Sequence, residues 1–195
     1  ANYIFLIQKK HQEKFNIKSM LKILQPNCKI IEIDQLTEGA ACTTLIAEKY
    51  INNDDPLIIA NSDQYIKWNS SQSIYNFLTK KIDAGILTFN SIHPKWSYAK
   101  CDDEHNVVEV AEKKVISNNA TVGVYFWKKG SDYVKYANQM IKKNIRVNNE
   151  FYVCPVFNEA IKDSKIIKIE KVEEMHGLGT PEDLSNFLNY IQTKK

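Results

Sequence analysis

The chain has 195 residues, a length that suits one α/β domain. Its 44% hydrophobic and 25% charged content is ordinary for a globular fold and excludes wholesale disorder. The net charge of +3 is spread over a well-mixed sequence, which excludes the concentrated basic face of a nucleic-acid binder. In chain order, residues 3–7 predict an apolar strand. A helical pattern follows with Phe15, Met20, Ile23 and Leu24 as its inner face, and Pro26-Asn27 ends it. Residues 29–33 predict a second strand and residues 39–50 a second helix. The apolar run 56–60 has the character of a parallel strand buried on both faces. A helix over 71–81 and a strand over 85–89 continue the alternation, which argues for a doubly wound, mostly parallel sheet in three layers.

From Trp96 the rhythm changes. Residues 98–100 and 107–110 flank the polar turn 102–106 and predict a hairpin. A long apolar strand covers 121–127 and carries Gly123. Helices are predicted over 131–142 and 149–161, with a late strand over 166–169. The last helix has the clearest start: Thr180 suits the N-cap, Pro181 the first helical position and Asp183 the third. There is no internal repeat, low-complexity linker or Gly/Ser-rich hinge, so one domain is expected.

Several short segments suit chemistry. Asn61-Ser62-Asp63-Gln64 follows the run 57–60, and the carboxyl end of a parallel strand is where open α/β sheets bind ligands. Asp63 there suits Mg²⁺ held against phosphate oxygens, or alternatively a turn cap. Residues 36–41 join a strand to a helix. Gly39 permits close backbone approach, and small alanines leave room for a flat base or sugar. In Glu112-Lys113-Lys114, lysine offers a compact charge for phosphate and glutamate accepts from sugar hydroxyls; a solvated strand end is the plainer reading. Gly123 interrupts a strong strand, as glycines do where a ligand or backbone comes close. Asn148-Asn149-Glu150 begins a predicted helix, as a cap or as a ligand contact. Trp96 suits stacking on a substrate or core filling, with core filling favoured.

Other chemistries find no support. Cys28, Cys42, Cys101 and Cys154 form no CxxC pair, and the four histidines have no metal-ligand spacing. No apolar run approaches the roughly 20 residues of a membrane span, and no leader pattern opens the chain. A soluble cytoplasmic protein with reduced thiols is expected, without nucleic-acid or membrane partners.

The order of the motifs is more specific than any one of them. TEGAA at 37–41, NSDQ at 61–64, AEKK at 111–114, NATVGVYFW at 119–127, NNEFY at 148–152 and GLGTPEDL at 177–184 occur in the sequence of one family. The chain resembles the sugar-phosphate nucleotidylyltransferases over essentially its whole length. It is most similar to bacterial capsule and lipopolysaccharide members, including cytidylyltransferases.

The resemblance implies transfer of a nucleotidyl group from a nucleoside triphosphate, CTP first, to a phosphorylated sugar or other small metabolite, with Mg²⁺ as cofactor. It implies Asp63 as metal ligand and, with Lys113, as catalytic residue. Thr37, Glu38, Gly39, Ala40, Asn61 and Ser62 would meet the nucleotide; Glu112, Lys113, Gly123 and Glu150 would meet the acceptor. The rivals are a metal-dependent glycosyltransferase of the related nucleotide-sugar-binding fold and a non-catalytic binding module.

Two departures stand out. Relatives open on a strand and a Gly-rich loop with a basic residue, then a helix with a further lysine. This chain begins at what corresponds to the next strand, so the first strand is expected to be missing, residues 1–195 to form one N-terminally truncated domain, and the chain alone to be inactive. Relatives also place a metal-binding aspartate where Gly177 stands. That leaves the second ligand unassigned, with Glu150 or a residue outside the chain as substitutes.

Overall fold

The computed structural model describes residues 2–194. In chain order its elements are β1 (Ile4–Gln8), α1 (Lys9–Phe15), α2 (Ile17–Leu24), β2 (Lys29–Ile33), α3 (Ala40–Leu45), α4 (Glu48–Ile51) and β3 (Leu57–Ala60). Then follow β4 (Gln64–Lys67), α5 (Ser70–Thr79), β5 (Ala84–Asn90), β6 (Tyr98–Cys101), β7 (Val107–Ala111), β8 (Asn119–Trp127) and α6 (Gly130–Lys142). The chain ends with α7 (Val156–Lys162), β9 (Ile167–Lys171), β10 (Glu174–Gly177) and α8 (Pro181–Thr193).

The nine-residue β8 is the axis of the molecule. Its alternating side chains feed two cores, as the period of a strand requires. Tyr125 and Trp127 point toward α6 and α7, where Trp127 stacks on Phe157 with ring centroids 4.5 Å apart. Val122, Val124 and Phe126 point the other way, and Phe126 stacks on Phe77 of α5 at 5.2 Å. The result is the expected three-layer α/β fold.

The sheet is mixed. β5–β9 and β1–β2 are parallel, but β3, β5 and β6 all run antiparallel to β8, and β6–β7 is an antiparallel hairpin. The parallel share is therefore smaller than the strand–helix rhythm implies. β3 is also not buried on both faces. Its burial alternates, and Ile58 is 43% exposed.

The β1–β2 pair stands apart from the main sheet. Between β1 and β3 runs a cleft of about 600 Å³, walled by Ile4, Phe5 and Leu6 on one side and Leu57, Ile58 and Ile59 on the other.

Two helical expectations need correction. Asn16 adopts a left-handed conformation (φ 49°) and splits the first helix into α1 and α2. The stripe Phe15, Met20, Ile23 and Leu24 then faces outward, with Ile23 80% exposed. The helix expected over 149–161 starts only at Val156, because Asn148 and Asn149 both take positive φ and residues 150–154 are non-helical. Asparagine favours N-caps and left-handed turns alike, and here the turn wins. The 39–50 helix is likewise broken into α3 and α4.

The capping of α8 follows expectation. Thr180 Oγ1 accepts from the Asp183 N–H at 3.1 Å, with Pro181 next in line. β10 and β4 form a short antiparallel pair beneath this helix. The Glu174 carboxylate accepts from the Tyr190 hydroxyl and pairs with Lys194 at 3.1 Å, tying the helix to β10. The Tyr190 and Lys194 hydrogen bonds hold the Glu174 carboxyl down at about 2. Its contribution is thus present above the ordinary glutamate range and is lost as pH falls from about 4.5 toward 2. The Tyr190 ring lies 4.2 Å from the His176 ring between centroids, and its resonances, followed by NMR, are expected to lose that contact across that window. Glu174→Gln should show the loosened spectrum already at neutral pH. A spectrum unchanged down to pH 2 would exclude the tie.

Candidate active site

At the end of β3 the chain leaves the sheet, and the Asn61 N–H donates to the Gly123 carbonyl at 2.9 Å. Gly123 has φ +71°, and a Cβ there would lie 2.5 Å from Asn61 Nδ2 and 3.1 Å from Gln64 Oε1. Only glycine combines that backbone with that proximity. Two residues on, the Asp63 carbonyl accepts from the Leu178 N–H at 2.7 Å. A Cβ on Gly179 would meet Asp63 Oδ2 at 2.6 Å. β4 pairs with β10 so that Gln64 stands opposite Gly177. These close approaches bring β8, the 61–64 loop and the 177–180 loop around one concavity.

That cavity measures about 480 Å³, within the usual range for small-molecule sites. Six of the residues expected to act together line it: Ala40, Asn61, Asp63, Glu112, Lys113 and Gly123. The other five are not among its lining residues. Thr37 donates its hydroxyl to the Gly39 carbonyl at 3.0 Å, and Glu38 pairs with Arg146. Gly39 packs on the main chain of Phe151. Ser62 lines the neighbouring β1–β3 cleft. Glu150 is exposed, in a turn closed by reciprocal hydrogen bonds with Val147 at 3.0 and 2.9 Å.

The cavity is electrostatically two-sided. Burial pushes the Glu112 carboxyl up, against a hydrogen bond from the Ser97 hydroxyl and the charge of Lys113. Lys113 takes a left-handed backbone (φ 53°), uncommon for a residue other than glycine. Its N–H donates to the Trp96 carbonyl at 3.1 Å, and its ammonium donates to the Tyr152 hydroxyl at 2.7 Å. That second hydrogen bond is the main cause raising the Lys113 pKa. Lys95, next to Trp96 in the same lining, pairs with Asp183 at 2.8 Å, which holds the Asp183 carboxyl down. Burial drives the Cys154 thiol far up, so this lining thiol is protonated and inert as a nucleophile.

Asp63 is exposed, and its side chain has no hydrogen-bond partner among the described residues. Those residues contain no group of three or more His, Cys, Asp or Glu able to enclose a metal ion. Asp63 is thus a single exposed carboxylate in the cavity lining; Mg²⁺ is commonly held by one or two carboxylates with substrate phosphates completing its shell. Gly177 lines the cavity without a side-chain ligand; a Cβ there would lie 3.2 Å from Trp96 Cη2. Glu150 does not line the cavity.

Trp96, weighed above as core filling or substrate stacking, is joined in the lining by residues that sequence reasoning left without a role. Trp96 serves two roles: its ring meets Phe89 edge-on at 5.6 Å, and it also walls the cavity. The Gln64 Nε2 is buried without a hydrogen-bond partner, a donor held ready at the cavity wall. Gln64 and Tyr152 lie inside motifs already singled out, at NSDQ and NNEFY; their position there was the available signal.

The profile of the nucleotidyl transferase family matches residues 2–193. Among curated proteins no relative matches. Among solved structures, a nucleoside-diphosphate-sugar pyrophosphorylase from Vibrio cholerae superposes with a TM-score of 0.79 at 19% identity, over 97% of this chain and 81% of the other. An inositol-1-phosphate CTP transferase from T. maritima gives 0.73 at 14% identity, over 99% and 76%. A UDP-glucose pyrophosphorylase complexed with UDP-glucose gives 0.73 at 16%, over 99% and 82%.

Proposed function

Because the chain belongs to the nucleotidyl transferase family, we propose that it serves transfer of a nucleotidyl group, from CTP first, to a sugar phosphate or similar small phosphorylated metabolite. The observation that carries this reading is the convergence of Asp63, Glu112, Lys113 and Gly123 on one cavity. The base preference rests on the capsule-type resemblance of the motifs. The same resemblance supports a cytoplasmic role in capsule or lipopolysaccharide biosynthesis.

In the transfer, an oxygen of the acceptor phosphate attacks the α-phosphorus, the bond to the β-phosphate oxygen breaks, and pyrophosphate leaves. The protein contributes alignment and charge neutralisation. Mg²⁺ held at Asp63 would supply Lewis-acid neutralisation of phosphate charge. Lys113 holds the acceptor phosphate, Glu112 accepts from acceptor hydroxyls, and the free Gln64 amide donates to an acceptor oxygen. Thr37 to Ala40 face the nucleotide. The residues that cradle the triphosphate in this reading, a Gly-rich loop and a further lysine, are not identified in the chain.

Binding tests this reading directly. Calorimetric titration with glucose 1-phosphate and, separately, with CTP and Mg²⁺ should show that Lys113→Ala weakens the sugar phosphate roughly tenfold or more. That is the loss of a hydrogen bond to a charged group, about 1.5–3 kcal/mol. Affinity for CTP should stay within about twofold, a few tenths of a kcal/mol. Equal losses for both ligands would remove Lys113 from the acceptor side.

A further inference from the structure

We propose that Tyr152 is the positioning residue for Lys113, its hydroxyl fixing where the ammonium stands over the cavity. The proposal rests on the reading of Lys113 as the acceptor-phosphate cation. A lysine side chain is a flexible four-carbon stem whose charge gains little unless something holds it. Here the backbone end is fixed by the left-handed turn and the Trp96 carbonyl, and the ammonium end by Tyr152 at 2.7 Å. The ammonium also lies 4.8 Å from the Tyr152 ring centroid, so ring and hydroxyl act on it together.

Tyr152 can serve as an anchor because its own segment is rigid. The preceding Phe151 is 2% exposed. Its N–H donates to the Glu38 carbonyl at 2.8 Å, and its carbonyl accepts from the Ala41 N–H at 2.9 Å. The Arg146 guanidinium stacks 4.0 Å above its ring. The following Val153 and Cys154 are buried. Phe151 therefore braces the nucleotide-side turn at Gly39, while Tyr152 braces the acceptor-side lysine. Two consecutive residues hold both halves of the cavity.

The charged and titratable groups facing Lys113 are Glu112, Glu150 and Tyr152. Loss of the tyrosine hydroxyl leaves both carboxylates in place and removes the largest influence raising the lysine. The Lys113 Nζ resonance of ¹⁵N-lysine-labelled protein should then titrate at lower pH in Tyr152→Phe than in the wild type. An unchanged midpoint overturns the contact, whatever the protein binds.

A double-mutant cycle gives the functional arm, with glucose 1-phosphate as probe. Tyr152→Phe should weaken binding roughly three- to tenfold in the wild-type background and leave it unchanged in the Lys113→Ala background. An equal loss in both backgrounds overturns the proposal, because Tyr152 would then act independently of Lys113. If the wild type fails to bind any sugar phosphate, the acceptor assignment falls while the lysine titration still decides the positioning.

Discussion

Replacing Asp63 with asparagine is expected to lower nucleotidyl transfer by roughly a hundredfold or more while leaving the fold intact. Asparagine keeps the size of the side chain but removes the charge. Stabilisation of phosphate charge by a bound metal contributes several kcal/mol to a transition state, and each 1.36 kcal/mol is about a factor of ten. Asp63 carries no structural hydrogen bond through its side chain among the described residues, so its loss should cost the fold little. The 61–64 loop is held instead by main-chain bonds, from Asn61 to Gly123 and from Leu178 to Asp63, which the substitution leaves untouched. The measurement is pyrophosphate release at limiting Mg²⁺ in a form of the protein that carries out the transfer, with a thermal melt alongside. Turnover within a few-fold of wild type would end the assignment.

The second large effect falls on Gly39. Its φ of +130° is a conformation that side-chain-bearing residues avoid, and a Cβ there would lie 2.5 Å from both the nitrogen and the oxygen of Phe151. Gly39→Ala must therefore strain its own backbone, about 1–3 kcal/mol, and push aside a neighbouring main chain. Displacing Phe151 threatens two hydrogen bonds, to Glu38 and from Ala41, each worth about 1 kcal/mol. The sum is about 3–5 kcal/mol against a total stability of about 5–15 kcal/mol. At about 2–4 °C per kcal/mol for a chain of this size, the melting midpoint should fall by roughly 6–20 °C. A circular-dichroism melt measures it, and a fall of only a degree or two would show that Phe151 gives way freely. Because Tyr152 follows Phe151, the same variant should also disturb Lys113.

These two residues were legible in the sequence for different reasons. Asp63 stood at the carboxyl end of an apolar run, where position alone suggests a ligand. Gly39 stood where a strand meets a helix, and the structure adds that a second main chain presses against it. The roles of Gln64 and Tyr152 were not legible, since each depends on which side chain comes across from another segment. Tyr152 meets Lys113 only because an asparagine turn and a left-handed lysine face one another. The short strands β4 and β10 were missed because QYIK and EMHG carry too little alternation over four residues to stand out. The outer stripe of α2 was misassigned because periodicity shows that an apolar face exists, but not whether anything covers it.

The cleft between β1 and β3 has a consequence for local stability. On its far side β1 is bonded to β2, and β3 to β8, but toward the cleft neither strand has a strand partner among the described residues. Half of the backbone groups in each strand are thus left to solvent beside apolar walls of Ile4, Leu6, Leu57 and Ile59. Such edges open at low free-energy cost, whereas β8, bonded along both sides, opens only with the whole domain. Amide hydrogens of β1 and β3 should exchange with deuterium well before those of β8. The same open edges are the places where a chain held at high concentration would first recruit foreign strands and come out of solution.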